Sequence, residues 1–151
     1  MLTYRLVRLI ECHSEELTAG LLRKVAQSER TRSYADAPTD DLKEQVSDIY
    51  HHLGTWLLDK SSADVEQRYT AVGARRAHQN IALSDLVWAI VLTKHNLWEF
   101  VDDVAFPGRA VNIADKQELL QLMDEFFDAA IHAAVVGYEW ARADDSGQQA
   151  S

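Results

Sequence analysis

Residues 84–101 of the chain are Ser-Asp-Leu-Val-Trp-Ala-Ile-Val-Leu-Thr-Lys-His-Asn-Leu-Trp-Glu-Phe-Val. Apolar side chains are nearly continuous in this stretch, and they do not alternate with polar ones as in a half-buried strand. A helix that is apolar on most of its faces usually lies at the centre of its bundle. We therefore expect a central apolar helix near 84–104, with Ser84 and Asp85 capping its start.

Apolar stripes at helical spacing continue on both sides of this stretch. They predict further helices over about 2–30, with a break near residue 13, and over 39–59, 62–79 and 115–143. Pro38 and Pro107 lie between helices, since a proline inside a helix costs ~3 kcal/mol. The sequence thus predicts an all-α fold, a bundle of about five long helices with short connections. We expect a single domain over 1–143 and a polar, disordered tail over 144–151.

Charge and composition narrow the classes of function. The 151 residues include 24 acidic and 15 basic side chains, a net charge of −9. Residues 81–151 hold twelve of the acidic and four of the basic ones, which disfavours binding to nucleic acid phosphates. The single cysteine, Cys12, excludes a disulfide framework, and no apolar run is long enough for a membrane span. We expect a cytoplasmic protein that binds neither nucleic acid nor membrane.

A basic cluster interrupts this acidic chain immediately before the apolar helix. It consists of Arg68, Arg75, Arg76 and His78. Arginines near a helix N-terminus can hold an anion or a partner's carboxylate. They can equally neutralise the acidic surface of the later helices. Together with Trp88, these residues are the candidates for binding a ligand or a partner.

The tryptophans and the cysteine fall on or beside apolar stripes. Trp56, Trp88, Trp98 and Trp140 are expected to anchor the core, and Cys12 is expected to be a small core residue. The same aromatic side chains could instead line a small-molecule pocket or form the seam of a homodimer.

A metal or haem site is the alternative function. His95 and Glu99 are four residues apart on one predicted helix, and so are Asp128 and His132 on another. This spacing places both members of a pair on one helical face, as two ligands of one metal ion require. The same spacing is also common in surface hydrogen bonds and ion pairs. Catalytic motifs such as Gly-x-Ser-x-Gly or His-Glu-x-x-His do not occur, so we expect neither an enzyme nor a cofactor.

Residues 73–89, Gly-Ala-Arg-Arg-Ala-His-Gln-Asn-Ile-Ala-Leu-Ser-Asp-Leu-Val-Trp-Ala, resemble the middle of the RsbRD-type N-terminal domain, named for the RsbT co-antagonist proteins. The shared pattern is a glycine, a basic pair with alanine, a polar turn, an isoleucine, and Leu-Ser-Asp-Leu opening an apolar helix. The flanking helices extend the resemblance over about residues 5–143.

The resemblance implies an all-helical regulatory or sensory domain in bacterial-type stress signalling or signal transduction. Such domains are usually found at the N-terminus of stress-signalling proteins, histidine kinases or transcription regulators. The family offers no catalytic residues to carry over. We expect a homodimer that binds a signalling protein or a small ligand, either standing alone or as part of a larger regulator.

Overall fold

The computed structural model describes residues 2–59, 62–105 and 113–150. Every element in these ranges is helical, which confirms the all-α prediction. The elements are α1 (Leu2–Cys12), α2 (Ser14–Gln27), a 3₁₀ segment (Glu29–Asp36), α3 (Thr39–Asp59), α4 (Ser62–His78), α5 (Leu83–Phe100), a π-helical turn (Val101–Ala105) and α6 (Ile113–Ala150). The predicted break at Pro107 lies outside the described residues. Among the described helices, none is both long and apolar enough to cross a membrane.

The predicted break near residue 13 is confirmed, and a 3₁₀ segment that was not predicted follows the second helix. The break occurs at His13, whose ring nitrogen Nδ1 lies 2.9 Å from the Leu9 carbonyl oxygen. The 3₁₀ segment begins after Ser28, whose hydroxyl accepts a hydrogen bond from the Arg30 backbone N–H at 3.2 Å. Thr31 departs from helical geometry and donates its hydroxyl to the Val25 carbonyl at 2.6 Å. Local side-chain bonds therefore hold a bend that the apolar periodicity does not indicate.

The most extensive helix pair is α4 with α6. A Cβ atom at Gly73 would overlap the Ala134 backbone, and one at Gly137 would overlap the Thr70 backbone. Only glycine lets two backbones approach this closely. One face of the central part of α6 is fully buried: Met123, Phe126, Phe127, Ala130 and Ala134 have no exposed surface.

Helix α5 buries one face and leaves the other partly open. Its buried face packs against α2, the 3₁₀ segment and α6. The opposite face carries apolar side chains that are only partly buried: Val87, Trp88, Val91 and Trp98. Helix α5 was predicted to be enclosed on most of its faces, but only one of its faces is buried. The most deeply buried side chains belong to α6.

Of the tryptophans predicted to anchor the core, one is buried and another is exposed. Trp56 is buried and contacts the Phe126 ring edge-on, with 5.6 Å between ring centroids. Trp140, predicted as a core anchor, is 66% exposed because α6 turns that side toward solvent. Cys12 is also exposed, so its assignment to the core was wrong. The backbone of α6 is helical as far as Ala150, beyond the end near residue 143 that the apolar stripe indicates.

Candidate functional site

The turn from α4 to α5 forms the centre of the candidate site. Asn80 adopts a left-handed conformation with φ of 60°. The Ile81 N–H donates to the Arg76 carbonyl and the Asn80 N–H donates to the Ala77 carbonyl, both at 3.1 Å. These two bonds are those of a Schellman helix end, in which asparagine can take the place of the usual glycine. The turn satisfies carbonyl groups that the end of α4 would otherwise leave without donors.

The start of α5 is held from another part of the chain. Ala82 precedes the helix, and no side chain caps its first turn, so the predicted capping by Ser84 and Asp85 is wrong. The Asp85 carboxylate instead accepts two hydrogen bonds from Ser33, one from its backbone N–H at 2.9 Å and one from its hydroxyl at 2.6 Å. The Ser33 hydroxyl in turn accepts the Ala82 N–H at 3.2 Å. Asp85 and Ser33 thus link the 3₁₀ segment to the α4–α5 turn by hydrogen bonds.

Arg76 makes the second link between the same elements. Its side chain is buried, with 4% of its surface exposed, and Nη1 donates to the Gln79 side-chain oxygen at 2.7 Å. The guanidinium carbon lies 5.4 Å from the centroid of the Tyr34 ring in the 3₁₀ segment. Burial raises the pKa of Tyr34 to about 12, although the Arg76 charge and hydrogen bond act in the opposite direction. Tyr34 therefore stays protonated at neutral pH.

Two of the predicted binding arginines lie elsewhere. Arg68 and Arg75 are exposed and line a groove of about 280 Å³ between α3 and α4, together with Glu44 and Asp48. Arg68 Nη1 lies 3.6 Å from an Asp48 carboxylate oxygen. A solvent-exposed pair of this kind adds little to stability. The two arginines share a groove that also contains acidic side chains.

The remaining candidates of this set do not join that groove. His78 is exposed at the end of α4, and Trp88 is partly buried on α5. The Arg30 guanidinium carbon lies 4.4 Å from the centroid of the Trp88 ring, close enough for a cation–π contact. The predicted binding residues therefore do not form one site. Arg68 and Arg75 line the exposed α3–α4 groove, Arg76 is buried, and Trp88 lies on α5.

The candidate metal ligands also separate. The exposed His95 ring is perpendicular to the Trp88 ring, with 6.4 Å between their centroids, while Glu99 forms a salt bridge with Lys24 at 2.9 Å. Asp128 and His132 are both exposed on α6. Among the described residues, no three histidine, cysteine or acidic side chains lie together as a metal site requires. The metal or haem hypothesis gains no support from this arrangement.

Sequence reasoning missed a buried polar residue, Asn96. Its Nδ2 donates to the Leu17 carbonyl at 2.8 Å and to the Tyr50 hydroxyl at 2.9 Å, and its Oδ1 accepts from Lys24 Nζ at 3.0 Å. A Cβ atom at Gly20 would lie 2.9 Å from that Oδ1, so glycine leaves room for the amide. An asparagine within an apolar helix was the available signal, because buried amides need partners.

Replacing Arg76 should destabilise the fold, whereas replacing its neighbour Arg75 should not. Arg76→Ala removes a buried group and leaves its partners without a donor, so we expect the free energy of unfolding to fall by ~2–3 kcal/mol. The matched change Arg75→Ala, on the exposed neighbour, should stay within ~0.5 kcal/mol. Urea denaturation followed by circular dichroism measures both. Equal effects of the two changes would contradict the structural role of Arg76.

Comparison with known proteins identifies the family. The family model for the RsbT co-antagonist protein rsbRD N-terminal domain matches residues 15–151. Comparisons with curated proteins and with solved structures gave no significant match. The family match includes the α4–α5 turn, the Asp85 contact and the Arg76 contact described above. The chain therefore belongs to the RsbT co-antagonist protein rsbRD N-terminal domain family, a family of regulatory stress-signalling domains.

Proposed function

We propose that this chain is a non-catalytic regulatory domain of bacterial-type stress signalling, and that it acts in the cytoplasm by contacting other protein chains. The observation that carries the proposal is the family match over residues 15–151. At the α4–α5 turn, the Arg76 and Asp85 side chains are engaged in contacts within the fold. The side chains left for contact with a partner lie on the outer surfaces of the helices.

Self-association is part of this proposal. The partly exposed face of α5 carries Val87, Trp88, Val91, His95 and Trp98, which recur at helical spacing. We assign a second copy of this chain to that face. These five side chains bear no carboxylate, and the bordering Glu99 is paired with Lys24 at 2.9 Å, whereas the chain as a whole has a net charge of −9. Pairing two copies by twofold symmetry through this face therefore brings apolar surfaces together away from most of the acidic surface.

A domain replacement tests the regulatory role. In a stress-signalling regulator of this family, this chain would replace the regulator's own N-terminal domain, and a reporter gene would measure the stress response in cells. We expect the reporter to remain inducible by stress. An unrelated helical bundle of similar length serves as the control and should abolish the induction. Equal reporter activity with the two replacements would refute the proposed function.

A further inference from the structure

A surface groove of about 370 Å³ lies between α2, the 3₁₀ segment and the start of α3. Most of its lining residues are apolar, with Leu22, Val25, Tyr34 and Leu42 among them. A volume of this size falls at the lower end of the range for specific binding pockets, roughly 300–1,000 Å³. The groove therefore has room for a few apolar side chains of a bound molecule.

Hydrogen bonds within the fold hold the 3₁₀ wall of this groove in place. Thr31, one of the lining residues, is buried and donates its hydroxyl to the Val25 carbonyl of α2 at 2.6 Å. Ser33, on the same segment, donates to the Asp85 carboxylate of α5 through both its backbone N–H and its hydroxyl. The 3₁₀ wall is thus fixed to two helices in the free chain. A groove that is formed in advance binds at a smaller cost in conformational entropy.

The rim of the groove is positively charged on the side of α2 and the 3₁₀ segment. Arg23 and Arg32 are both exposed and line the groove, and none of the lining residues that the structure describes is acidic. Residues 23–35 hold four basic side chains and one acidic one, in a chain whose net charge is −9. Asp36 and Asp40 follow toward the start of α3, so the positive rim is confined to one side. That side attracts negative groups locally.

An occupant that fits this groove combines apolar side chains with carboxylates on one side of them. The apolar floor requires uncharged groups, because burying an unpaired charge is costly. The rim favours carboxylates, since a guanidinium can pair with a carboxylate through two hydrogen bonds. A bilayer surface is flat and cannot enter a concave groove, and nucleic acid phosphates would face the apolar floor. A peptide segment that protrudes from another protein meets both requirements.

We propose that this groove binds an acidic, apolar segment of a partner protein, with its apolar side chains against Leu22, Val25 and Leu42 and its carboxylates at Arg23 and Arg32. The inference rests on the proposed regulatory function and deepens it by assigning a surface and a chemistry to a partner other than the second copy on α5. Binding is measured on the purified chain and the regulatory role by the domain replacement in cells, so either can fail without the other.

Selection from random peptides tests the proposal on the complete chain. A library of random peptides displayed on phage is selected on the purified protein, and the most enriched peptide is synthesised for binding measurements by fluorescence anisotropy. We expect enriched sequences in which apolar residues stand beside aspartate or glutamate. No enrichment, or enrichment of neutral or basic sequences, would overturn the proposal.

Charge reversal at the rim locates the peptide. Arg23→Glu combined with Arg32→Glu should weaken its binding at least about tenfold, because the new carboxylates repel those of the peptide. Arg8→Glu combined with Arg142→Glu is the matched control, since both arginines are exposed and neither lines the groove, and it should leave the affinity unchanged. Equal affinities of the two double variants would contradict the proposed location.

Filling the groove provides an independent test. Ala35 is exposed and lines the groove, so Ala35→Trp should abolish peptide binding while the circular dichroism spectrum stays unchanged. Ala71→Trp, at an exposed position of the α3–α4 groove, should bind the peptide as the wild type does. Peptide binding that survives Ala35→Trp would overturn the proposal.

Two further measurements distinguish other occupants of the groove. Sedimentation velocity should give the same oligomeric state for Ala35→Trp and the wild type, and a change to monomer would assign the groove to a second copy of the chain. Vesicles of phosphatidylserine and phosphatidylcholine should not bind the wild type. Vesicle binding that Arg23→Glu with Arg32→Glu abolishes would assign the rim to a membrane surface. Either of these results would overturn the proposal.

Discussion

Gly73→Ala should lower the free energy of unfolding by about 3 kcal/mol, one of the two largest effects expected of a single substitution in this chain. The added methyl group would occupy the position of the Ala134 backbone, so α4 and α6 must move apart. That movement loosens the most extensive helix contact of the fold. The free-energy cost of separating the two helices must exceed about 1 kcal/mol, which is the helix-propensity advantage of alanine over glycine.

Gly54→Ala is the control for this prediction. Gly54 lies inside α3, where the nearest atom to an added Cβ is a Val7 methyl carbon at 3.3 Å. A side-chain methyl can shift by a few tenths of an ångström, so the variant should be neutral or more stable. Chemical denaturation of both variants measures the difference. A Gly73→Ala protein as stable as the Gly54→Ala protein would show that the close α4–α6 approach is unnecessary.

Phe126→Ala should be comparably damaging, with a loss of ~3–5 kcal/mol. Phe126 has no exposed surface, and its ring lies edge-on to Trp56, Tyr69 and Phe127 at centroid distances of 5.6, 5.9 and 5.1 Å. Truncation therefore removes the shared contact of three aromatic rings and leaves a cavity between α3, α4 and α6.

Trp140→Ala provides the comparison within the same helix. It removes a larger side chain, but 66% of Trp140 is exposed, so we expect a change within ~0.5 kcal/mol. Thermal and urea unfolding of the two variants give the comparison directly. A Trp140→Ala protein destabilised as strongly as Phe126→Ala would mean that α6 packs with a different face inward.

Helix positions could be predicted from the sequence because burial repeats along a helix. The stripes of α3 and α6 place residues such as Leu53, Leu119 and Phe127 inward, and all three are buried. The direction in which each polar side chain points was harder to predict. Arg75 and Arg76 are adjacent, so one must point about 100° away from the other, and the packing of α4 on α6 decides which is buried.

The contacts of the candidate site depend on partners distant in the chain. Asp85 follows a serine and resembles a helix cap, yet its carboxylate binds Ser33, 52 positions earlier. Asn96 likewise bonds to Leu17 and Tyr50 on two other helices. Local sequence patterns indicate that such side chains are polar and near apolar ones. They carry no information on which distant donor will be adjacent once the bundle forms.

Sedimentation velocity on the purified chain tests most directly whether the domain acts by contacting another chain through α5. We expect a dimer for the wild type. Val91→Glu, at the centre of the partly exposed α5 face, should give a folded monomer, because a buried carboxylate opposite its twofold mate is strongly unfavourable. Gln121→Glu, the same charge on an exposed position of α6, should remain a dimer. A wild-type monomer at all concentrations, or a Val91→Glu dimer, would contradict self-association through α5.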